Sequence, residues 1–272
     1  MFEHVLVPLD GSALAEGVLS HTIALARAFQ AQISLVCVLA PPSSNRHPHP
    51  IDPVDWEMRK IEAKSYLTDL ARQMQQMDIS VTSVVLEGDP AQNIIKFAQE
   101  KDVDLVVINS HGSSGASGWT LGAVAQKVIQ HVHTSVLLVR AYQVEHRTSA
   151  KQNHTESGDM EAARYARILV PLDGSHRADC ATTPATKLAA FYDASMVLVS
   201  VICNPDVPNR APPTPEDIAL ADQLKEHNRQ RLATYLEQMQ SKLPVAVDTR
   251  VMDGDDVVVC LEDIVQEEAI DL

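Results

Sequence analysis

The chain has 272 residues, 45% of them hydrophobic and 21% charged, with a formal net charge of −14. This is a globular composition long enough for two domains of ordinary size, and its acidity, without any Lys/Arg cluster, excludes nucleic acid as an expected partner. No run of eighteen apolar residues predicts a membrane span, and Met1 to Val7 lack the basic flank and cleavage site of a signal peptide. Four scattered cysteines, Cys37, Cys180, Cys203 and Cys260, show no metal-type spacing, so reduced thiols and a cytoplasmic protein are expected. In chain order the pattern predicts a strand at 4–8, a helix at 13–29, a strand at 33–39, a helix at 54–76 and a strand at 81–86. It continues with a helix at 90–100, a strand at 103–109, a helix at 119–131 and a strand at 135–140. The strands are Val/Ile/Leu-rich with few polar interruptions, as in a sheet buried on both faces by crossover helices. An α/β, doubly wound parallel sheet follows, with its ligand site beyond the carboxyl ends of the strands.

A second copy then begins. Leu6-Val7-Pro8-Leu9-Asp10-Gly11-Ser12 recurs unchanged as Leu169-Val170-Pro171-Leu172-Asp173-Gly174-Ser175. The apolar run Ile33 to Leu39 returns as Met196 to Ile202, and a proline-rich loop and a long amphipathic helix follow in both. Both copies reach a strand ending in Gly-Asp, at Gly88-Asp89 and Gly254-Asp255. A period of about 163 residues means duplicated domains and not a solenoid. The expected division is a first domain at 1–142, a polar linker at 143–164 and a second domain at 165–272. The second copy stops at Ala269-Ile270-Asp271-Leu272, where the first has Val103-Asp104-Leu105. It is therefore expected to be incomplete at its C-terminal end and unable to bind a nucleotide alone. The loss of a fourth strand should leave its first strand with an unpaired edge.

Two segments lie at predicted strand ends. In Pro8-Leu9-Asp10-Gly11-Ser12, Asp10 leaves the strand and Ser12 can cap the next helix; turn and capping roles alone would account for both. The second segment runs from Asn109-Ser110-His111-Gly112 through a Gly/Ser-rich stretch into a helix. Glycines there let backbone N–H groups approach an anion, and the helix N-terminus adds partial positive charge, so phosphate is the natural guest; a loop without a ligand reads equally well. The segment is neither a Walker A motif nor Gly-x-Gly-x-x-Gly. His47 and His49 lie on a proline-rich loop without further metal ligands.

In combination these motifs resemble the universal stress protein family. That family carries a strand ending Val-Pro-x-Asp-x-Ser, a mid-domain Gly-Asp-Pro, and a late Gly-x-x-Gly, nine residues, Gly-Ser/Thr. The counterparts are Val7 to Ser12, Gly88-Asp89-Pro90, and Asn109 to Gly112 followed by Gly122-Ala123. The resemblance covers residues 1–142 and most of 165–272. It implies a duplicated five-stranded Rossmann-like sheet of the adenine nucleotide alpha hydrolase type, in the order 3-2-1-4-5. It also implies an ATP site, with or without Mg²⁺, built from two strand ends. Asp10 and Val38 would lie on the adenosine side with Pro8 and Leu9 beside them, while Asn109, His111, Gly112, Gly122, Ala123 and Val124 would line ribose and phosphates. A homodimer, or pairing of the two domains, is implied as well.

The sequence departs from the family motif twice. Asn109 replaces the first glycine, and Asn tolerates a left-handed backbone. Ala123 replaces Ser/Thr and removes a hydroxyl worth roughly 1.5–3 kcal/mol to a charged partner. Backbone donors remain, so binding should be weakened and not abolished. His111 lacks a paired acid or nucleophile, and the loop has no lysine, so turnover is not expected beyond slow hydrolysis. The expected function is therefore an ATP-binding regulator of the stress response. The alternative is a non-nucleotide-binding interaction module of the same fold, acting through dimer surfaces such as Ser135 to Arg140. An adenylate-forming or ATP-hydrolysing enzyme would need a pyrophosphate loop that Asp10-Gly11-Ser12-Ala13 does not supply.

Overall fold

The computed structural model describes residues 1–41, 52–110, 121–140, 161–203 and 214–272. The chain divides into two units, Met1–Ala163 and Arg164–Leu272. In the first unit β1 (His4–Leu9), β2 (Gln32–Leu39), β3 (Val81–Glu87), β4 (Leu105–Asn109) and β5 (Ser135–Val139) form one parallel sheet in the order β3-β2-β1-β4-β5. Apolar side chains on successive positions bury both faces, most fully in β4, where all five residues are buried. Right-handed crossovers place α2 (Leu19–Phe29) and α3 (Pro53–Gln75) on one face, and α4 (Pro90–Glu100) and α5 (Ala123–His131) on the other.

Helix α4 shows how sequence dictates placement. Asp89 caps it by accepting from Gln92 N at 2.8 Å, and Pro90 occupies the first turn, where a missing N–H costs nothing. Ala91, Ile94, Phe97 and Ala98 recur at helical spacing and are buried. They join Leu6, Val36, Val106, Ile108 and α5's Ala125 and Val128 in one core.

The helix expected at 13–29 is two pieces, α1 (Ala13–Glu16) and α2, hinged at Gly17-Val18. The break recurs in the second unit between α6 (His176–Asp179) and α7 (Thr182–Tyr192), so it belongs to the shared turn. Tight bonds replace helical ones there: Gly17 N reaches Leu14 O at 3.2 Å and Val18 N reaches Ala15 O at 3.4 Å.

The second unit has a three-stranded parallel sheet, β6-β7-β8, of β6 (Arg167–Pro171), β7 (Ser195–Cys203) and β8 (Val247–Gly254), with α7 and α8 (Pro215–Gln240) in its crossovers and α9 (Val257–Glu267) following β8. The copies match in backbone detail. Gly11 and Gly174 have φ of 78° and 80°, Gln30 and Asp193 end helices at 57° and 55°, and Asp102 and Ala269 turn at 48° and 49°.

The edge of β6 is less bare than the sequence suggests. Asp271 N donates to Arg167 O at 3.0 Å, and Leu169 N donates to Leu272 O at 2.8 Å. The Asp271 carboxylate takes the amides of Ala166 and Arg167, as Asp104 takes those of Glu3 and His4 in the first unit. Pro171, next on that side, has no N–H to leave open. The donors along this edge are thus bonded or missing, which blunts it against pairing.

Candidate functional site

The site begins with Pro8. In a parallel pair alternate residues bond to opposite neighbours. His4 O accepts Asp104 N at 2.9 Å, so even-numbered residues of β1 face β4. At Pro8 that side lacks a donor, and the β1–β4 register extends only over Val5 and Leu6. Pairing with β2 runs on through Leu9. The tips of β1 and β4 therefore separate where the strand order reverses, the topological switch point at which open α/β sheets bind ligands.

A cavity of about 290 Å³ occupies that cleft. Pro8, Leu9 and Asp10 line it from β1, Val38 from β2, Asn109 from β4, and Gly122, Ala123 and Val124 from the start of α5. These are eight of the ten residues expected from the sequence; His111 and Gly112 lie outside the described residues. Val36, Ile94, Ile108, Ser110 and Ala125 line it too, and were not anticipated. Strand alternation could have found Val36, two residues before Val38 on the same side of β2. Helical spacing could have found Ile94, one turn after Pro90.

Asp10 is held by its own turn. Its Oδ1 accepts Ser12 N at 3.0 Å and Ser12 Oγ at 2.6 Å, while Ser12 Oγ caps α1 by accepting Ala15 N at 3.2 Å. Gly11 supplies the left-handed φ the turn requires. The local capping chemistry is thus present, and it fixes the carboxylate at the cavity wall. Burial and the Asp10 charge push the nearby Cys37 thiol up, keeping it protonated.

At the opposite wall Ser110 N donates to Val139 O, and Gly122 N donates to Ser110 O, both at 2.8 Å. The second bond ties Gly122, at the start of α5, to the tip of β4. Gly122 provides no side-chain cap to α5. Among the described residues the first-turn amides of Ala123, Val124 and Ala125 therefore have no intrahelical or capping side-chain partner, the condition under which a helix start binds an anion. Asn109 does not adopt the left-handed backbone its place in the motif suggested. It is the last residue of β4, in extended pairing with Val139, and its buried amide donates to Leu14 O in α1. The site thus combines an apolar slot, one fixed carboxylate and a helix N-terminus. Such a combination can hold a small ligand that carries both an apolar part and an anionic group.

Among the described residues no group of three or more His, Cys, Asp or Glu could hold a metal, and no helix is long and apolar enough to cross a membrane. His47 and His49 lie outside the described residues.

A parallel sheet in the order 3-2-1-4-5, with a cavity at its switch point, defines a doubly wound α/β class. The sequence profile of the universal stress protein family matches residues 1–140 and again 164–272, and the chain belongs to that family in a tandem form. It is 32% identical over 149 residues to universal stress protein YxiE of Bacillus subtilis, which covers 52% of this chain and all of that protein. Universal stress protein MJ0531 of Methanocaldococcus jannaschii is 28% identical over 146 residues, covering 52% of this chain and 83% of that protein. A universal stress protein crystal structure from Archaeoglobus fulgidus superposes with a TM-score of 0.69, covering 99% of this chain and 85% of that one, at 16% identity, a likeness of fold alone.

Proposed function

We propose that the first unit binds an adenine nucleotide, ATP in the first instance, and that the protein is a regulator that reads nucleotide occupancy instead of turning the nucleotide over. The observation that carries this reading is the convergence of Asp10, Val38 and the start of α5 on one switch-point cavity. Val36, Val38, Ile94 and Ile108 offer a base an apolar slot, and the α5 amides offer phosphate its donors. The described wall is built from apolar side chains, main chain, the polar Asn109 and Ser110, and one carboxylate already engaged by Ser12, a surface suited to holding a ligand. Magnesium would arrive with the phosphates, whose oxygens would supply most of its ligands. In the second unit Asp173 and Ser175 repeat the turn, with Asp173 Oδ1 accepting Ser175 N at 2.9 Å, but no counterpart of α5 is described there. The first unit is expected to take one nucleotide.

Thermal unfolding with and without ATP and Mg²⁺ tests the reading. A ligand at a hundred times its Kd stabilises by about 2.7 kcal/mol, which raises the melting temperature by several degrees. An unchanged melting temperature at millimolar ATP removes the nucleotide and leaves the interaction-module reading in its place. Mass spectrometry of small molecules released from the purified protein provides the same decision without added ligand.

A further inference from the structure

The second unit contains a cavity of its own, of about 460 Å³, bounded by the Asp173–Gly174 turn, the tip of β7 and α8. It lies on the opposite face of its sheet from the place corresponding to the first unit's cavity, because α8 is the counterpart of α3 and not of α4 or α5. The copies align closely here. Gln75 and Gln240 each donate their amide to the first residue of the following strand, Val81 and Val247. Counting back, Arg231 stands where the first unit has Tyr66, and Asn228 where it has Ala63. The β1–β2 and β6–β7 registers put Cys203 where the first unit has Ala40. Three polar side chains thus gather around a turn that is otherwise repeated residue for residue.

Asn228 and Arg231 are three apart and share one face of α8. Neither has a hydrogen-bond or ion-pair partner among the described residues, whereas the adjacent Arg229 is paired with Asp253 and Glu226. On the facing wall Asp173 is fixed by Ser175, whose hydroxyl and N–H hold its carboxyl below the usual range, so it is ionised. Between them lie Val201, Leu232 and the ring of Tyr235, whose hydroxyl is turned away to donate to Asp179. The volume falls within the range of small-molecule sites, roughly 300–1,000 Å³.

We propose that this cavity binds a small zwitterion with an apolar body, an α-amino acid being the simplest form. Arg231 and Asn228 take its carboxylate, Asp173 its ammonium, and Leu232, Tyr235 and Val201 its side chain. The ionised wall at Asp173 disfavours a simple anion such as phosphate, and Arg231 disfavours a simple amine. The site is independent of nucleotide binding in the first unit.

Cys203 at the rim supplies the readout. In the full chain carrying Cys180→Ser, it is the remaining exposed thiol, since Cys37 and Cys260 are buried. Its alkylation by iodoacetamide is followed with L-leucine, 4-methylpentanoate or inorganic phosphate present, alongside saturation-transfer NMR on the leucine methyls. Leucine at about twice its Kd should slow alkylation by about threefold, since the free fraction falls as the inverse of one plus the ligand-to-Kd ratio. Arg231→Gln should abolish that protection, and Asp173→Asn should reduce leucine to the effect of 4-methylpentanoate. Added ATP should leave it unchanged. Both variants are surface changes whose melting curves report folding separately. No protection with no saturation transfer, protection by leucine that survives both variants, or protection by phosphate equal to that by leucine would each overturn the assignment.

Discussion

Ala123→Ser is a gain-of-function test of the first unit's site. Ala123 is the first residue of α5, follows the uncapped Gly122, and is exposed at the cavity wall. Ala123 is exposed, so a hydroxyl there displaces no buried side chain among the described residues, and serine costs the helix less than about 0.7 kcal/mol relative to alanine. The variant should therefore fold like the parent. A hydroxyl donating to a phosphate oxygen contributes roughly 1.5–3 kcal/mol, which is about one to two decades in Kd. Isothermal titration calorimetry with ATP, ADP and adenosine on both proteins measures it. ATP and ADP should tighten by that factor and adenosine should not change, because the hydroxyl lies on the phosphate side. An ATP affinity left where it was, or an equal gain for adenosine, would refute the placement of the phosphates at α5.

Three further outcomes follow from the fold. Burial lowers the pKa of His21 from 6.5, so the folded state binds fewer protons than the unfolded chain; its contribution to stability is present above 6.5 and is lost as pH falls through the folded pKa. Chemical denaturation between pH 7 and 5 should show that loss, and His21→Gln should flatten it. Asp89→Ala removes the cap of α4 and should cost about 1 kcal/mol, whereas Asp89→Asn, which keeps a capping oxygen, should retain most of it; the half-exposed ion pair to Lys127 adds little. Leu198→Ala, at a fully buried β7 position, should destabilise the second unit by roughly 2–5 kcal/mol in urea melts.

Local chemistry made several features legible in advance. A proline within a buried strand, an Asp-Gly-Ser turn after it and an Asp-Pro helix start each act through their own backbone or nearest neighbours. Their structural consequences at Pro8, Asp10–Ser12 and Asp89–Pro90 could therefore be read from the residues. The repeat made the same features visible twice. Strand order was reachable only through family resemblance, because residues far apart in sequence decide which strands pair.

Other features depended on contacts that no local pattern encodes. The motif suggested a left-handed Asn109, but the pairing of β4 with β5 keeps it extended and the Leu14 carbonyl takes its amide. The edge of β6 looked unpaired until Asp271 and Leu272 were placed against Arg167 and Leu169. Arg231, Asn228 and Cys203 carry no recognisable spacing, and only the packing of α8 against β7 brings them to the Asp173 turn. By itself the sequence determined the duplication, the buried parallel strands and the turn chemistry at their tips, because these rest on periodicity and near-neighbour bonds. Tertiary structure alone decided which strand tips separate into a cavity and which polar groups face one another across it, because those depend on how distant segments pack.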